Sequence, residues 1–289
     1  MKCKTSGRIV LLVLALHFCL ASTSAQEMVE TSAATYRSEG NRYYEQQRFD
    51  KALESFRSAI KSKPGYAEAY NDLGMTYAAL GQHESAIDCL KQAISLKPEF
   101  AVAYSNLGSE YYEVSDLHSA IHFLREAVRL KPDNAIAFNN LGATYSEAGQ
   151  AGEAITAHEQ AVRLKPDWAE AHRNLALASY PAGRYDRVVA ELRRAILLKP
   201  GYAEAYNNLG VVYYEKGHYS KAGDCFLEAI KIKPDYDDAI YNFGALKLTL
   251  SDRNQAITQY QRLKYLNPIL AKVLYGGLYD GRVLNLRNK

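Results

Sequence analysis

The chain has 289 residues, long enough to bury a sizeable core, and its 35 Lys and Arg against 32 Asp and Glu leave a net charge of +3. Lys2, Lys4 and Arg8 carry that whole excess, so the rest of the chain is neutral and lacks the basic bias of a nucleic-acid binder. Four cysteines in a chain of this length exclude a disulfide-built scaffold.

Residues 1–25 read as a secretory signal peptide. Lys2, Lys4 and Arg8 make a basic start, Ile9 to Leu20 an apolar run, and Thr23-Ser24-Ala25 a small-residue cleavage site. The run is too short for a comfortable transmembrane helix, although an uncleaved anchor is the alternative. Cys3 and Cys19 leave with this segment. The expected location is therefore exported, periplasmic or secreted. The lack of an Asn-x-Ser/Thr sequon favours a periplasm over a glycosylating route.

A short lead, 26–32, is followed by strict periodicity. Pro64, Pro98, Pro132, Pro166, Pro200, Pro234 and Pro268 stand 34 residues apart. A fixed period of this length marks stacked supersecondary units. Seven units follow: 33–66, 67–100, 101–134, 135–168, 169–202, 203–236 and 237–270. Within 203–236, Ala205, Leu209, Val212 and Tyr213 give one run at helical spacing. Tyr219, Ala222, Cys225, Phe226 and Ala229 give a second, and Gly217 stops the helix between them. Lys231 and Lys233 suit the end of the second helix, and Pro234 prevents its extension. Each unit is thus a helix–turn–helix hairpin that needs neighbours on both sides to bury its apolar faces.

The fifth unit departs from the pattern. Ala176, Ser179 and Val188 replace Gly, Tyr and Ala, and Pro181 predicts a helix end or bend near Ser179. Cys89 and Cys225 sit at the same place in the second and sixth units, too far apart for a disulfide. After Pro268, a partial helix from Ile269 to Tyr279 offers Leu270, Val273, Leu274 and Leu278 to cover the last hairpin. It opens a cap and tail, 271–289, whose Val283, Leu284 and Leu286 offer a docking segment instead.

The units resemble the tetratricopeptide repeat (TPR) family. Tyr70, Leu73, Gly74, Tyr77, Ala86, Leu90, Ala93 and Pro98 match its pattern, as do Tyr104, Leu107, Gly108, Tyr111, Ala120, Leu124, Ala127 and Pro132. The resemblance implies an all-α, right-handed superhelical solenoid with a C-terminal capping helix. It covers nearly all of the chain after residue 32. Glu39 and Lys247 break the pattern in the first and last units, where one face of an array meets water.

A column of amides repeats with the same period: Asn106, Asn140, Asn174, Asn208 and Asn242, with Asp72 in the unit before. In the family this face resembles the concave lining of the superhelix. An Asn carries two donors and an acceptor, so it can hold both the N–H and the C=O of an extended peptide. A similar ladder lines the repeat domain of the O-linked N-acetylglucosamine transferases, but this chain has no transferase domain. The alternative is that each Asn only bridges neighbouring helices. Helical spacing adds Val102, Ile136, Ser109, Ala143, Leu177 and Val211 to this face. It fringes them with Glu113, Glu147, Glu170, Glu204, Glu215 and Asp238. The expected ligand is an extended segment with basic and apolar residues.

The carboxylate-gripping mode of chaperone-binding TPR domains is not matched. Arg37 and Asn41 begin such a cluster, but Asp72 and Val102 stand where Asn and Lys are needed, and Arg173 is isolated. His118 and His122 share a helix face without a third ligand, so no metal is expected. No phosphate loop, nucleophile elbow or zinc motif appears, so neither a cofactor nor an enzyme is expected. The reading is an exported protein-interaction scaffold. The competing reading is a structural or self-associating scaffold, or an accessory subunit of an envelope assembly, using its convex surface or its ends.

Overall fold

The computed structural model describes residues 29–279. Residues 1–25, expected above to be a signal peptide, and the tail from residue 280 lie outside the described residues, within which there are fifteen helices and no strand.

Two compact units divide at Pro132 and Asp133. The first holds three hairpins. They are α1 (29–45) with α2 (Phe49–Ser62), α3 (Ala67–Ala79) with α4 (His83–Leu96), and α5 (Ala101–Glu113) with α6 (Leu117–Leu130). Residues 29–32, read above as lead, form the start of α1. The second unit holds four hairpins: α7 (Ala135–Glu147) with α8 (Ala151–Leu164), α9 (Ala169–Ser179) with α10 (Tyr185–Leu198), α11 (Ala203–Glu215) with α12 (Tyr219–Ile232), and α13 (Asp237–Thr249) with α14 (Arg253–Leu266). A final helix, α15 (Pro268–Tyr279), packs on α13 and α14. Inside each unit the second helix of one hairpin packs on the first helix of the next.

The sequence pattern explains both the turns and the packing. Each hairpin turn puts one residue in the left-handed backbone region, for example Gly217 at φ 72° and Gly183 at φ 68°. Glycine adopts this region without the steric cost that other residues meet. Close helix approach requires glycine as well. A Cβ on Gly210 would stand 2.5 Å from the Phe226 ring. Opposite these glycines, Ala52, Ala86, Ala120, Ala154, Ala222 and Ala256 are fully buried. Phe56, Leu90, Leu124, Leu192 and Phe226 fill the hairpin centres. Each second helix ends where its last turn binds back, as when the Lys97 N–H donates to the Ala93 carbonyl just before Pro98.

The fifth repeat keeps the plan by exchanging volume. Ala176 and Val188 are buried around Leu192, so bulk added at two small-residue sites is offset where Ser179 replaces a tyrosine. Helix α9 ends at Ser179, two residues before Pro181, as the proline dictates. The buried Ser179 hydroxyl donates to the Leu175 carbonyl at 2.8 Å. In the cap helix Leu270, Leu274 and Leu278 are buried, whereas Val273 stays exposed. Cys89 and Cys225 are free and half-buried. Burial raises the Cys89 thiol to about 11 and the Cys225 thiol to about 12, with Asp88 and Asp224 adding to the effect.

Candidate functional site

Every first helix but α1 carries one ladder residue: Asp72 on α3, Asn106 on α5, Asn140 on α7, Asn174 on α9, Asn208 on α11 and Asn242 on α13. The geometry shows what holds them. Asn106 Nδ2 donates to Asn71 Oδ1 at 2.9 Å. Asn174 Nδ2 donates to Asn139 Oδ1 at 3.1 Å, and Asn242 Nδ2 to Asn207 Oδ1 at 2.8 Å. The acceptor in each case stands immediately before the ladder position of the preceding repeat. Arg37 Nε meets Asp72 Oδ2 at 2.6 Å in the same register. Four of these positions are therefore clasped between successive repeats: Asp72 and Asn106 in the first unit, Asn174 and Asn242 in the second. The positions that complete the amide clasps, Asn71, Asn139 and Asn207, were visible in the same 34-residue period, one place upstream of the ladder.

Clasping uses only part of each amide. The bond made by Asn106 or Asn174 engages one of two N–H groups and leaves the carbonyl outside that bond. The step between α9 and α11 is different. Register puts Arg173 where an Asn would accept from Asn208. Asn208 is completely buried, and neither its Nδ2 nor its Oδ1 has a partner. Arg173 Nε is also buried without a partner, and its guanidinium lies 6.0 Å from the Tyr202 ring centroid.

The apolar members of the face vary in exposure. Val102 and Ile136 are exposed, Ala143 and Leu177 are half-buried, and Val211 is buried. The carboxylates divide into two groups. Glu113, Glu147 and Glu215 are exposed at helix ends. Glu170 pairs with Lys199 at 2.8 Å, and that bond holds its carboxyl below the usual range. Glu204 is half-buried, and Asp238 is buried on α13. A separate hollow of about 500 Å³ opens in the α7–α8 hairpin between Phe138, Tyr145, Thr156 and Ala157. In the α5–α6 hairpin the corresponding position is Phe123, whose ring stacks on Tyr111 at 5.4 Å. Among the described residues, no three His, Cys, Asp or Glu side chains gather as a metal site. No described helix is long and apolar enough to cross a membrane.

The family model described as the Cilia and flagella-associated protein 70 C-terminal domain matches residues 13–240. The chain belongs to this tetratricopeptide-repeat family. No curated protein matches it. Among solved TPR structures, MamA is 29% identical, with a TM-score of 0.51 over 56% of this chain and 94% of that one. YrrB, described as a TPR protein with an unusual peptide-binding site, is 26% identical, with a TM-score of 0.55 over 64% of this chain and 95% of that one. PilF of Pseudomonas aeruginosa, at 20% identity, TM-score 0.64 and coverage of 73% and 97%, shows the fold alone. As a TPR protein, the chain is an interaction scaffold for protein partners.

Proposed function

We propose that the amide-bearing face binds an extended segment of a protein partner, and that the chain acts in an exported compartment. The observation that carries this reading is that, inside each unit, inter-repeat amides such as Asn106 and Asn174 stand among apolar side chains and are fringed by carboxylates. Amides at repeat spacing suit main-chain groups rather than particular side chains. The likeness to a peptide-binding TPR protein supports the same reading. Glu113, Glu147, Glu204 and Glu215 favour a partner with basic and apolar residues, whereas Asp238, expected on the fringe, is buried. At about 1 kcal/mol net per hydrogen bond, the half-buried Asn106, Asn140 and Asn174 contribute about 3 kcal/mol to binding, whereas Asn208 and Asn242 are buried and do not serve as rungs.

The clasps favour a second reading, in which the column serves stability and partners meet the outer surface or the ends. Affinity capture separates the two. Protein from Gln26 onward is compared with an Asn106→Ala/Asn140→Ala/Asn174→Ala variant of matched helicity. Loss of a specific, salt-sensitive partner in the variant supports the face. Capture of the same partner by both proteins sinks it. Detection of a new N-terminus at Gln26 on the exported protein tests the signal.

A further inference from the structure

Period-matched positions in the α5–α6 and α7–α8 hairpins differ in one consistent way. In α5–α6 the Phe123 ring stacks on Tyr111 at 5.4 Å with the planes 5° apart, and it lies tilted against Tyr104 at 6.2 Å. His122 meets Phe123 edge to face at 5.0 Å. One period of 34 residues later, α7 keeps a ring at both first-helix places, as Phe138 and Tyr145. On α8 the rings are gone. Gly152 replaces His118, Thr156 replaces His122 and Ala157 replaces Phe123. The hollow of about 500 Å³ opens at that place, lined by Phe138, Tyr145, Gly152, Thr156 and Ala157 among others.

The walls of the hollow say what chemistry fits it. Two half-buried aromatic side chains form one wall. The other wall is small: Ala157 is buried, while Gly152 and Thr156 are exposed at the mouth. The Thr156 hydroxyl donates to the Gly152 carbonyl at 3.0 Å, so an occupant need bring no polar partner for it. A ring gains from offset or edge contacts with other rings beyond the area it buries, and an aliphatic group lacks that gain. The charged side chain of the lining is Glu153, an exposed carboxylate, so a cation beside the ring fits the rim. A volume of about 500 Å³ lies within the range of pockets that take small organic groups. At 100° per residue, Phe138 and Tyr145 stand about 140–160° round α7 from Asn140, which separates this site from the amide-bearing face.

We propose that the α7–α8 hollow is a binding site for an aromatic side chain of a protein partner, one flanked by a cation. The partner's ring takes the place that Phe123 fills in α5–α6, against two aromatic neighbours, and its cation meets Glu153. This site goes beyond the proposed function and stands whether or not the amide-bearing face binds a segment. It gives the scaffold a pocket that selects by side-chain type, which contacts to main-chain groups alone do not.

The test titrates the full chain with three blocked peptides: acetyl-Arg-Phe-Arg-amide, acetyl-Arg-Leu-Arg-amide and acetyl-Arg-Ala-Arg-amide. Binding is followed by NMR through the methyl signals of Thr156 and Ala157, both of which lie in the lining. The Phe peptide is expected to shift both signals through its ring current. It is expected to bind at least about tenfold more tightly than the Ala peptide, with the Leu peptide between them. Ala157→Phe, which restores the ring of α5–α6, is expected to abolish the shift at Thr156. Gly152→Leu keeps the test decisive if that variant misfolds. It overhangs the mouth from an exposed helical position where a Cβ meets nothing within 4 Å, and it is expected to abolish both shifts. Glu153→Gln is expected to weaken the Phe peptide about twofold to fivefold and to reduce its salt dependence. Equal binding of the Phe and Leu peptides, binding that persists in Gly152→Leu, or no shift at all overturns the proposal. Indole is titrated alongside. If it shifts the same signals and the Phe peptide does not, the hollow takes free ring compounds rather than a partner's side chain, and the proposal falls.

Discussion

The repeats around α3–α5 and those around α8–α11 share one plan but differ in how their polar groups are satisfied. In the first region Asn71 and Asn106 clasp across repeats, and Leu90 and Leu124 fill the hairpin centres. In the second, His158 stands at the Leu position and Arg173 at the Asn position. Among the described residues, the buried side-chain polar atoms without partners belong to His158, Arg173 and Asn208. A repeat scaffold therefore tolerates local polar defects, because each repeat answers chiefly to its neighbours. It also concentrates in one region the groups that are open to new partners or to protons.

The sharpest way to expose this difference is acid. Burial lowers the His158 imidazole to about 4 from its ordinary 6.5, and its ring packs against Gly142. The unfolded chain then holds the extra proton more readily than the folded one. Stability is complete above about pH 6.5, falls as the pH drops toward 4, and levels off below that. The loss is about 3 kcal/mol, and His158→Leu removes it. Urea melts of both proteins at pH 7 and pH 4.5 check this, and parallel pH responses would rule out His158 as the cause.

Breaking a good clasp comes next. Asn71→Leu strands the Asn106 donor and costs about 1–2 kcal/mol, read as a lower chemical midpoint. Repairing the poor one should run the other way. Arg173→Asn supplies the acceptor that Asn208 lacks, and a gain of about 1 kcal/mol in the same melt is expected. A loss there would show that Arg173 contributes more through Tyr202 and its neighbours than the clasp returns. The smallest effect belongs to the exposed pairs. Lys97 meets Glu68 at 2.6 Å, and Lys199 meets Glu170 in the same register. Lys97→Gln costs under about 0.5 kcal/mol, and less at high salt.

Much of this was legible in the sequence because a short repeat writes local physics again and again. Proline at each repeat end, glycine at four of the seven hairpin turns and small residues at the crossings determine where helices begin, stop and approach, and these are effects of φ, donor loss and side-chain volume. The helix end before Pro181 was readable for the same reason. The ladder itself was visible as a column of residue types, but its pairing was not. Whether Asn106 faces a ligand or Asn71 depends on which atoms approach within hydrogen-bond reach across two helices, a distance that no period encodes. Nor does spacing reveal that Arg173 leaves Asn208 unpaired, or that Asp238 and Val211 are buried while Ile136 on an equivalent face is open. Helix identity and repeat register follow from contacts within some thirty residues. Satisfaction and burial are sums over everything that packs nearby, and only the tertiary structure supplies that sum.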